Sequence, residues 1–597
     1  MNESRLKKIE DLLVFLYGRE QGARTFDALS RLIPRGLAQS GPAAHREPLS
    51  EKDACLIAYG DILSPPSGSS PNGEEAPNGD EDGAGGGASP TALARLRGFL
   101  ERRNRGSFSY LHILPFHPYS SDDGFSIIDY RKIAPHLGTW GDIAPLAREY
   151  RLVFDLVLNH GSVQSPWFQS FLKDEPSHRD WYITRPADFD VSPVFRPRTQ
   201  PLLTPFLRED GTTVSVWTTF SADQVDYNFA NPEVLLEFIK IFFEYIQHGA
   251  RMVRLDAVAY IWKEDGTSCI HHPKTHAIVK LLRALIDCLE LDVLILTETN
   301  VPHEENLSYF GEGDEAHLVY NFALPPLTLH AAVSEDAGPL RDWARTLPAP
   351  GEGPVFFNFL ASHDGVGVLP TKGLIDDTSF QKTLDAVLER GSLLSYKDTR
   401  SGPMPYEINC SYLSAVAPPS LGTAEERART FLCCHAVLFA LAGLPAVYFH
   451  SWIGSEQWTE GPRLYGYRRA INREKPFIDQ VEAELNDEDS LRAAVYAGFE
   501  KMLAFRRNEG PFAPEVPQKI LPATGPVFAL ARGPDRGGRY VLCLQNFGAR
   551  PAEYRLAELP ALEILARQGI GSEILLSPRE THWIGYGGGR AMSVLRI

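Results

Sequence analysis

Asp256, Glu298 and Asp364 stand at the ends of short apolar runs, RMVRLDAV, VLILTET and VFFNFLASHD, and Asn159 with His160 ends another, RLVFDLVLNH. Burying a carboxylate without a partner is expensive, so acids at the tips of apolar strands need a reason. A salt bridge or a helix N-cap accounts for any one of them alone. Polar clusters at matching places in successive runs, with Arg254 and His363 among them, point instead to chemistry. Two carboxyl groups on facing strands are what glycosidic-bond chemistry requires: one attacks the anomeric carbon while the other protonates the departing oxygen. A third acid and an arginine can orient the nucleophile and stabilise positive charge building on the sugar ring. Spacing alone leaves open which acid does which.

Eight runs of the buried-strand kind must position these groups: Ala54 to Leu63, Tyr110 to Phe116, Arg151 to His160, Arg251 to Val258, Val293 to Thr299, His317 to Phe322, Val355 to Asp364 and Leu444 to Phe449. Amphipathic stretches such as PEVLLEFIKIFFEYIQHG and THAIVKLLRALIDCLE lie between them. Strands alternating with helices imply a parallel sheet covered by helices. Eight such units predict an α/β fold, a (β/α)8 TIM barrel, whose catalytic side chains sit at the C-terminal ends of its strands. A Rossmann-like sheet is the alternative, but no Gly-rich fingerprint follows the first strand.

The predicted organisation is an N-terminal helical segment over 1–53, a catalytic barrel over 54–480, a helical linker over 481–524 and an antiparallel β domain over 525–597. Insertions are expected at 161–228, after the third strand, and at 365–430. The stretch 64–90 is built from Gly, Pro, Ser, Asn and acidic residues with almost nothing to bury, and reads as a disordered loop that the fold tolerates. Seven scattered cysteines in no ligand spacing read as free thiols of a reducing cytoplasm. The N-terminus has no signal-peptide h-region, and the most apolar stretch, Ala436 to Phe449, is too short to cross a bilayer. A formal charge of −17 repels phosphate backbones and anionic headgroups, which disfavours nucleic-acid and membrane partners.

DLVLNH, MVRLDAV, LTETN and FLASHD resemble, in order and interval, the signature regions of the α-amylase superfamily (glycoside hydrolase family 13) of retaining α-glycosidases and transglycosidases. The resemblance implies that Asp256 is the nucleophile, Glu298 the general acid/base and Asp364 the transition-state stabiliser, with Arg254 holding the nucleophile and His160 and His363 bonding glucosyl hydroxyls. HPYSSDDGFSIIDYR, FRPRTQPLLTPF, WKEDGTSCIHHPKTH and PYEINCSY are similar to the group containing sucrose phosphorylase and glucosylglycerate phosphorylase, and SSDDGF, GTSC and PYEIN look closer to the glucosylglycerate type. The same likeness implies a clamp of Asp122 with Arg473 around a single ring, Phe125 packed on the sugar, and loops carrying Tyr406 and Glu407 over the acceptor side.

That family's chemistry is a covalent β-glucosyl-enzyme resolved by inorganic phosphate to α-D-glucose 1-phosphate. The guanidinium fork matches oxyanions, and the resemblance of FRPRT to the phosphorylase loop makes Arg198 the first candidate for the phosphate, with Arg196 and Tyr406 behind it. Glu407 stands where sucrose phosphorylases tend to carry Gln. Other readings are a sucrose phosphorylase, an amylosucrase-like transglucosidase or α-glucosidase, and a catalytically inactive barrel serving as a binding scaffold. The resemblance implies no cofactor and no metal. The expected partners are a small glucoside and phosphate, and assembly, homodimer included, stays open.

Overall fold

The computed structural model describes residues 3–33, 47–68, 90–351, 353, 355–399, 402–555, 573–587 and 590–597. Each of the eight apolar runs supplies one strand: β1 (Cys55–Ala58), β2 (Tyr110–Ile113), β3 (Arg151–Val157), β4 (Ala250–Asp256), β5 (Leu294–Thr297), β6 (Leu318–Tyr320), β7 (Val355–Asn358) and β8 (Leu444–Tyr448). They pair in chain order and close into a barrel where Cys55 meets Tyr110 on one side and Ala446 on the other. Nearly every strand residue is buried, as expected where side chains fill the barrel on one face and helices cover the other.

Local sequence explains the helices that brace it. Pro232–Gln247 starts with Asn231 accepting the Glu233 amide and Pro232 at the first position, where no N–H is needed, and buries Val234, Phe238, Ile241, Phe242 and Tyr245. Pro273–Leu289 is capped by the His272 ring and stops where Glu290 turns left-handed at φ 53°. Ala424–Ala440 opens with a reciprocal Thr423 and Glu426 capping box. It buries residues on every face because Leu491–Arg507 and the C-terminal sheet cover the side away from the barrel.

Outside the barrel, α1 (Glu3–Tyr17) and α2 (Arg19–Leu32) form a hairpin against Pro273–Leu289. Gly22 lets the two helices touch, since a Cβ there would lie 2.7 Å from the Leu13 carbonyl oxygen. Arg5 reaches Glu290 at 3.4 Å, and Tyr17 donates to the Phe229 carbonyl at 3.0 Å. After β3 the chain makes the strand pairs His160–Ser162 with Gln224–Asp226 and Leu203–Leu207 with Thr213–Trp217. After β7 it makes a three-stranded antiparallel sheet, Val366–Gly367, Leu393–Thr399 and Gly402–Asn409. The C-terminal β region holds a five-stranded antiparallel sheet and a separate strand pair.

Some boundaries differ from the sequence reading. Residues 430 and 480 fall inside the helices Ala424–Ala440 and Ile478–Asn486, and the C-terminal sheet already begins with Gln518–Ile520. That strand is three residues long with a polar start, too short to show alternation. Of the stretch 64–90, Ser64 bridges to Phe477 and the Ser67 amide donates to Asp479 at 2.9 Å. The loop reading of 69–89 lies outside the described residues. All seven cysteines are free and buried, and among the described residues no helix is long and apolar enough to cross a membrane.

At the barrel's N-terminal end two arginines are buried with no carboxylate in ion-pair contact among the described residues. Arg506 donates to the main-chain carbonyls of Glu51, Asp53, Gly443 and Phe512, and Arg532 to those of Ala440, Ala513 and Val516.

Candidate active site

A cavity of about 760 Å³ opens at the C-terminal ends of the strands, a size suited to a small ligand. Its wall includes Asp256, Glu298 and Asp364, which follow from three different strands. On β4 the two-residue period points Arg254 and Asp256 to the same side, and the ladder sets Asp155 of β3 opposite Arg254. Arg254 Nη1 donates to Asp256 Oδ1 at 2.7 Å and to Asp155 Oδ1 at 2.6 Å, while His112 of β2 holds the other Asp155 oxygen at 2.7 Å. The nucleophile candidate is therefore fixed through a buried chain that crosses β2, β3 and β4.

After Asp256 the chain turns sharply. Ala257 adopts the left-handed conformation at φ 48°, strain that a non-glycine residue keeps only where its surroundings enforce it. The turn aims the Ala257 amide at Glu298 Oε2, 2.9 Å away, and Arg254 Nη2 lies 3.9 Å from the same oxygen. Burial pushes both the Asp256 and the Glu298 carboxyls up. Arg254 opposes that rise, and the neighbouring negative charges add to it: Glu298 for Asp256, Asp364 for Glu298. Two buried carboxyls gathered around one guanidinium, with Glu298 raising Asp256, favour carrying a single proton between them. Asp364 behaves differently: burial alone would raise it, but Arg469, Arg473 and Arg254 outweigh that and hold it below the ordinary carboxylate value.

The ring-binding candidates cluster around this centre. Phe125 stacks on His363 with centroids 4.6 Å apart, and His160 Nε2 lies 3.1 Å from the Phe125 carbonyl and from Gln224. The Asp122 and Arg473 clamp is rearranged. Arg473 Nη1 donates to Asp123 at 2.7 Å and lies 3.6 Å from Asp122, so the nearer partner is Asp123, which also accepts from Tyr467. Both aspartates are left-handed, at φ 52° and 47°, and the resulting bend leaves Asp122 on the cavity wall.

Across the cavity Arg198 lies over Tyr406, 5.2 Å from its centroid, and over Phe220 at 5.7 Å. Among the described residues no carboxylate is within ion-pair distance of it, and its one side-chain hydrogen bond is to the Pro197 carbonyl. Arg196 is not brought to the cavity. Its guanidinium bonds the Gln200 carbonyl within its own loop. Glu407 borders the cavity, but its carboxylate is committed elsewhere: Arg469 donates to Oε1 at 2.9 Å and to Oε2 at 2.7 Å, and the Gly365 amide donates to Oε1 at 3.1 Å.

Sequence reasoning missed Asp155, His112, Asp123 and Gln224, and above all Arg469, whose Nη1 lies 2.5 Å from Asp364 Oδ1. Arg469 precedes Arg473 by four residues in RRAINREK, and a second arginine so near the first is a usable signal.

A family model described as "Alpha amylase, catalytic domain" matches residues 108–347. The chain is 48% identical to the glucosylglycerate phosphorylase of Spirochaeta thermophila over 90% of this chain and 89% of that one. It is 30% identical to the sucrose phosphorylase of Bifidobacterium adolescentis over 66% of this chain and 79% of the relative. Among solved structures, sucrose 6F-phosphate phosphorylase from Thermoanaerobacter thermosaccharolyticum superposes with a TM-score of 0.71 at 23% identity, covering 92% of this chain and 98% of the other.

Proposed function

This chain belongs to the α-amylase superfamily, in the group that holds the glucosylglycerate and sucrose phosphorylases, and on that premise we propose that it is a retaining glucosylglycerate phosphorylase. The observation that carries the reading is the pairing, in one cavity, of an acid trio with Arg198, a guanidinium with no carboxylate in ion-pair contact among the described residues. An anionic acceptor and inorganic phosphate are the ligands such a site favours.

In this reading an Asp256 oxygen attacks C1 of 2-O-α-D-glucosylglycerate. Glu298 gives its proton to the departing glycerate oxygen, and the C1–O bond breaks to leave a β-glucosyl ester on Asp256. The Arg254 bond favours the ionised form of Asp256 against the rise that burial imposes, and in this reading the proton carried by the pair lies on Glu298. Asp364, ionised beside Arg469, offers negative charge where the sugar ring becomes cationic. Phosphate then enters over Arg198 and loses a proton to Glu298. Its oxygen attacks C1 from the face glycerate left, releasing α-D-glucose 1-phosphate and free Asp256. Phe125, His363 and Asp122, which line the cavity, hold the glucosyl ring, with Arg473 backing Asp122. Tyr406 backs Arg198 through its ring face.

The test is to incubate the enzyme with glucose 1-phosphate and single acceptors and measure phosphate release. Release with D-glycerate and little with fructose supports the proposal. Release with fructose in preference makes it a sucrose phosphorylase, and release with water alone makes it a hydrolase.

A further inference from the structure

The buried carboxylate of Glu407 is the least explained charge at the cavity. It is 3% exposed, it sits on the insertion hairpin rather than on a barrel strand, and three donors already occupy it. Oε1 accepts from both Arg469 and Gly365, which fills its two lone pairs, so little capacity remains for a ligand. The chain is shaped around this arrangement. A Cβ on Gly365 would lie 2.6 Å from Glu407 Cγ and 2.6 Å from the Ile408 carbonyl oxygen, so only glycine lets the residue after Asp364 approach so closely. The strand Val366–Gly367 then pairs with Glu407 and Ile408, which ties the backbone following Asp364 to the hairpin.

Arg469 is the other half. Its Nε and Nη2 edge is held by both Glu407 oxygens, a fork-to-fork pair that fixes the guanidinium plane, and Nη1 is thereby set 2.5 Å from Asp364. We infer that Glu407 is a positioning residue: through Arg469 and the Gly365 amide it fixes where the Asp364 carboxylate stands against the reacting sugar. The inference rests on the proposed role of Asp364, and it makes Glu407 act on glucosyl transfer itself rather than as a contact to glycerate.

The two roles separate with α-D-glucosyl fluoride, whose glucosylation of the enzyme involves neither glycerate nor phosphate. Glu407→Gln keeps the shape and removes the charge. Its kcat on glucosyl fluoride is expected to fall roughly 10- to 100-fold with KM within about twofold, the size of effect that misplacing a reacting group produces. Arg469→Met is expected to fall at least as far. The double variant, which leaves neither charge buried alone, is expected to fall close to Arg469→Met, because the guanidinium through which Glu407 chiefly acts on Asp364 is already gone. The double variant also covers the case in which Glu407→Gln fails to fold. Losses that multiply in the double variant overturn the inference. So does a Glu407→Gln enzyme that turns over glucosyl fluoride at the wild-type rate while its KM for glycerate rises. If the wild-type enzyme releases no phosphate with glycerate, the acceptor assignment fails while the fluoride cycle still reports on Glu407.

Discussion

At the mouth of the barrel Arg254, Arg469 and Arg473 are buried among carboxylates, whereas at its base Arg506 and Arg532 are buried among main-chain carbonyls. The electrostatic consequence is opposite. Burial works against all five, but at the mouth the neighbouring acids outweigh it and hold the guanidiniums above their ordinary value. At the base burial prevails and brings Arg506 down to about 10 and Arg532 to about 9. Buried charge by itself therefore does not mark function. The mouth differs in having open volume beside the charges and, on the cavity wall, Arg198, whose one side-chain hydrogen bond is to the Pro197 carbonyl and whose other donors are left for a ligand. The base has its carbonyls filled and serves to join β1, β8 and the C-terminal sheet.

Variants at the two ends should accordingly fail in different ways. The largest effect is expected for Asp256→Asn, which removes the nucleophile: phosphate release from glucose 1-phosphate and glycerate should drop about 10⁴-fold or more, with the thermal transition intact. Activity near wild type in that variant would break the assignment of the mouth. Arg532→Met should do the converse. It strands three carbonyls and costs about 3 kcal/mol of stability, read as an earlier thermal or denaturant transition, while the kcat of the folded enzyme stays unchanged. A lowered kcat at full stability would erase the contrast between the ends.

Arg198→Ala should raise KM for phosphate and glycerate roughly 10- to 100-fold and leave glucosyl fluoride hydrolysis near wild type, since only the anions use that charge. The smallest effect is in pH dependence. Burial raises Glu298, so it keeps its proton at pH values where an ordinary glutamate has lost it. Because it acts as the acid, turnover of glucosylglycerate should fall as pH rises through that elevated value. Glucosyl fluoride, whose leaving group needs less protonation, should show a flatter alkaline limb. Arg532→Met should leave both profiles where they are.

The sequence exposed one part of this architecture and concealed another. Asp256, Glu298 and Asp364 were legible because an acid ending an apolar run violates the local pattern, although the seventh strand stops at Asn358 and leaves Asp364 in the loop beyond it, and the eight strands were legible because burial on both faces makes continuous apolar runs. The groups that support the acids carry no such mark. Asp155 lies inside a strand, where it reads as one polar letter among RLVFDLV, and only the ladder sets it opposite Arg254. The Ala257 amide is invisible because its aim depends on a left-handed turn that no alanine advertises. Asp123 and Asp122 are adjacent, so sequence could not say which one Arg473 would take. Arg469 and Glu407 are far apart along the chain and meet only through the packing of the hairpin on the turn before Arg473. In FRPRT resemblance alone ranks Arg198 ahead of Arg196, and loop geometry supplies the physical separation: Arg196 bonds its own loop while Arg198 lies over Tyr406.

The seam of the barrel has a consequence for how the molecule is made. β1 pairs with β8 through Cys55 and Ala446, so the first strand to leave a ribosome waits for the last before its open edge is covered. At roughly 5–20 residues per second that wait is on the order of tens of seconds, during which an apolar strand edge is free to join another chain. Arg506, which touches the carbonyls of Asp53 and Gly443 on the two sides of the seam, arrives later still and acts as its latch. Slower growth at low temperature, or a chaperone that shields β1, should therefore raise the yield of this enzyme more than any change at its catalytic mouth.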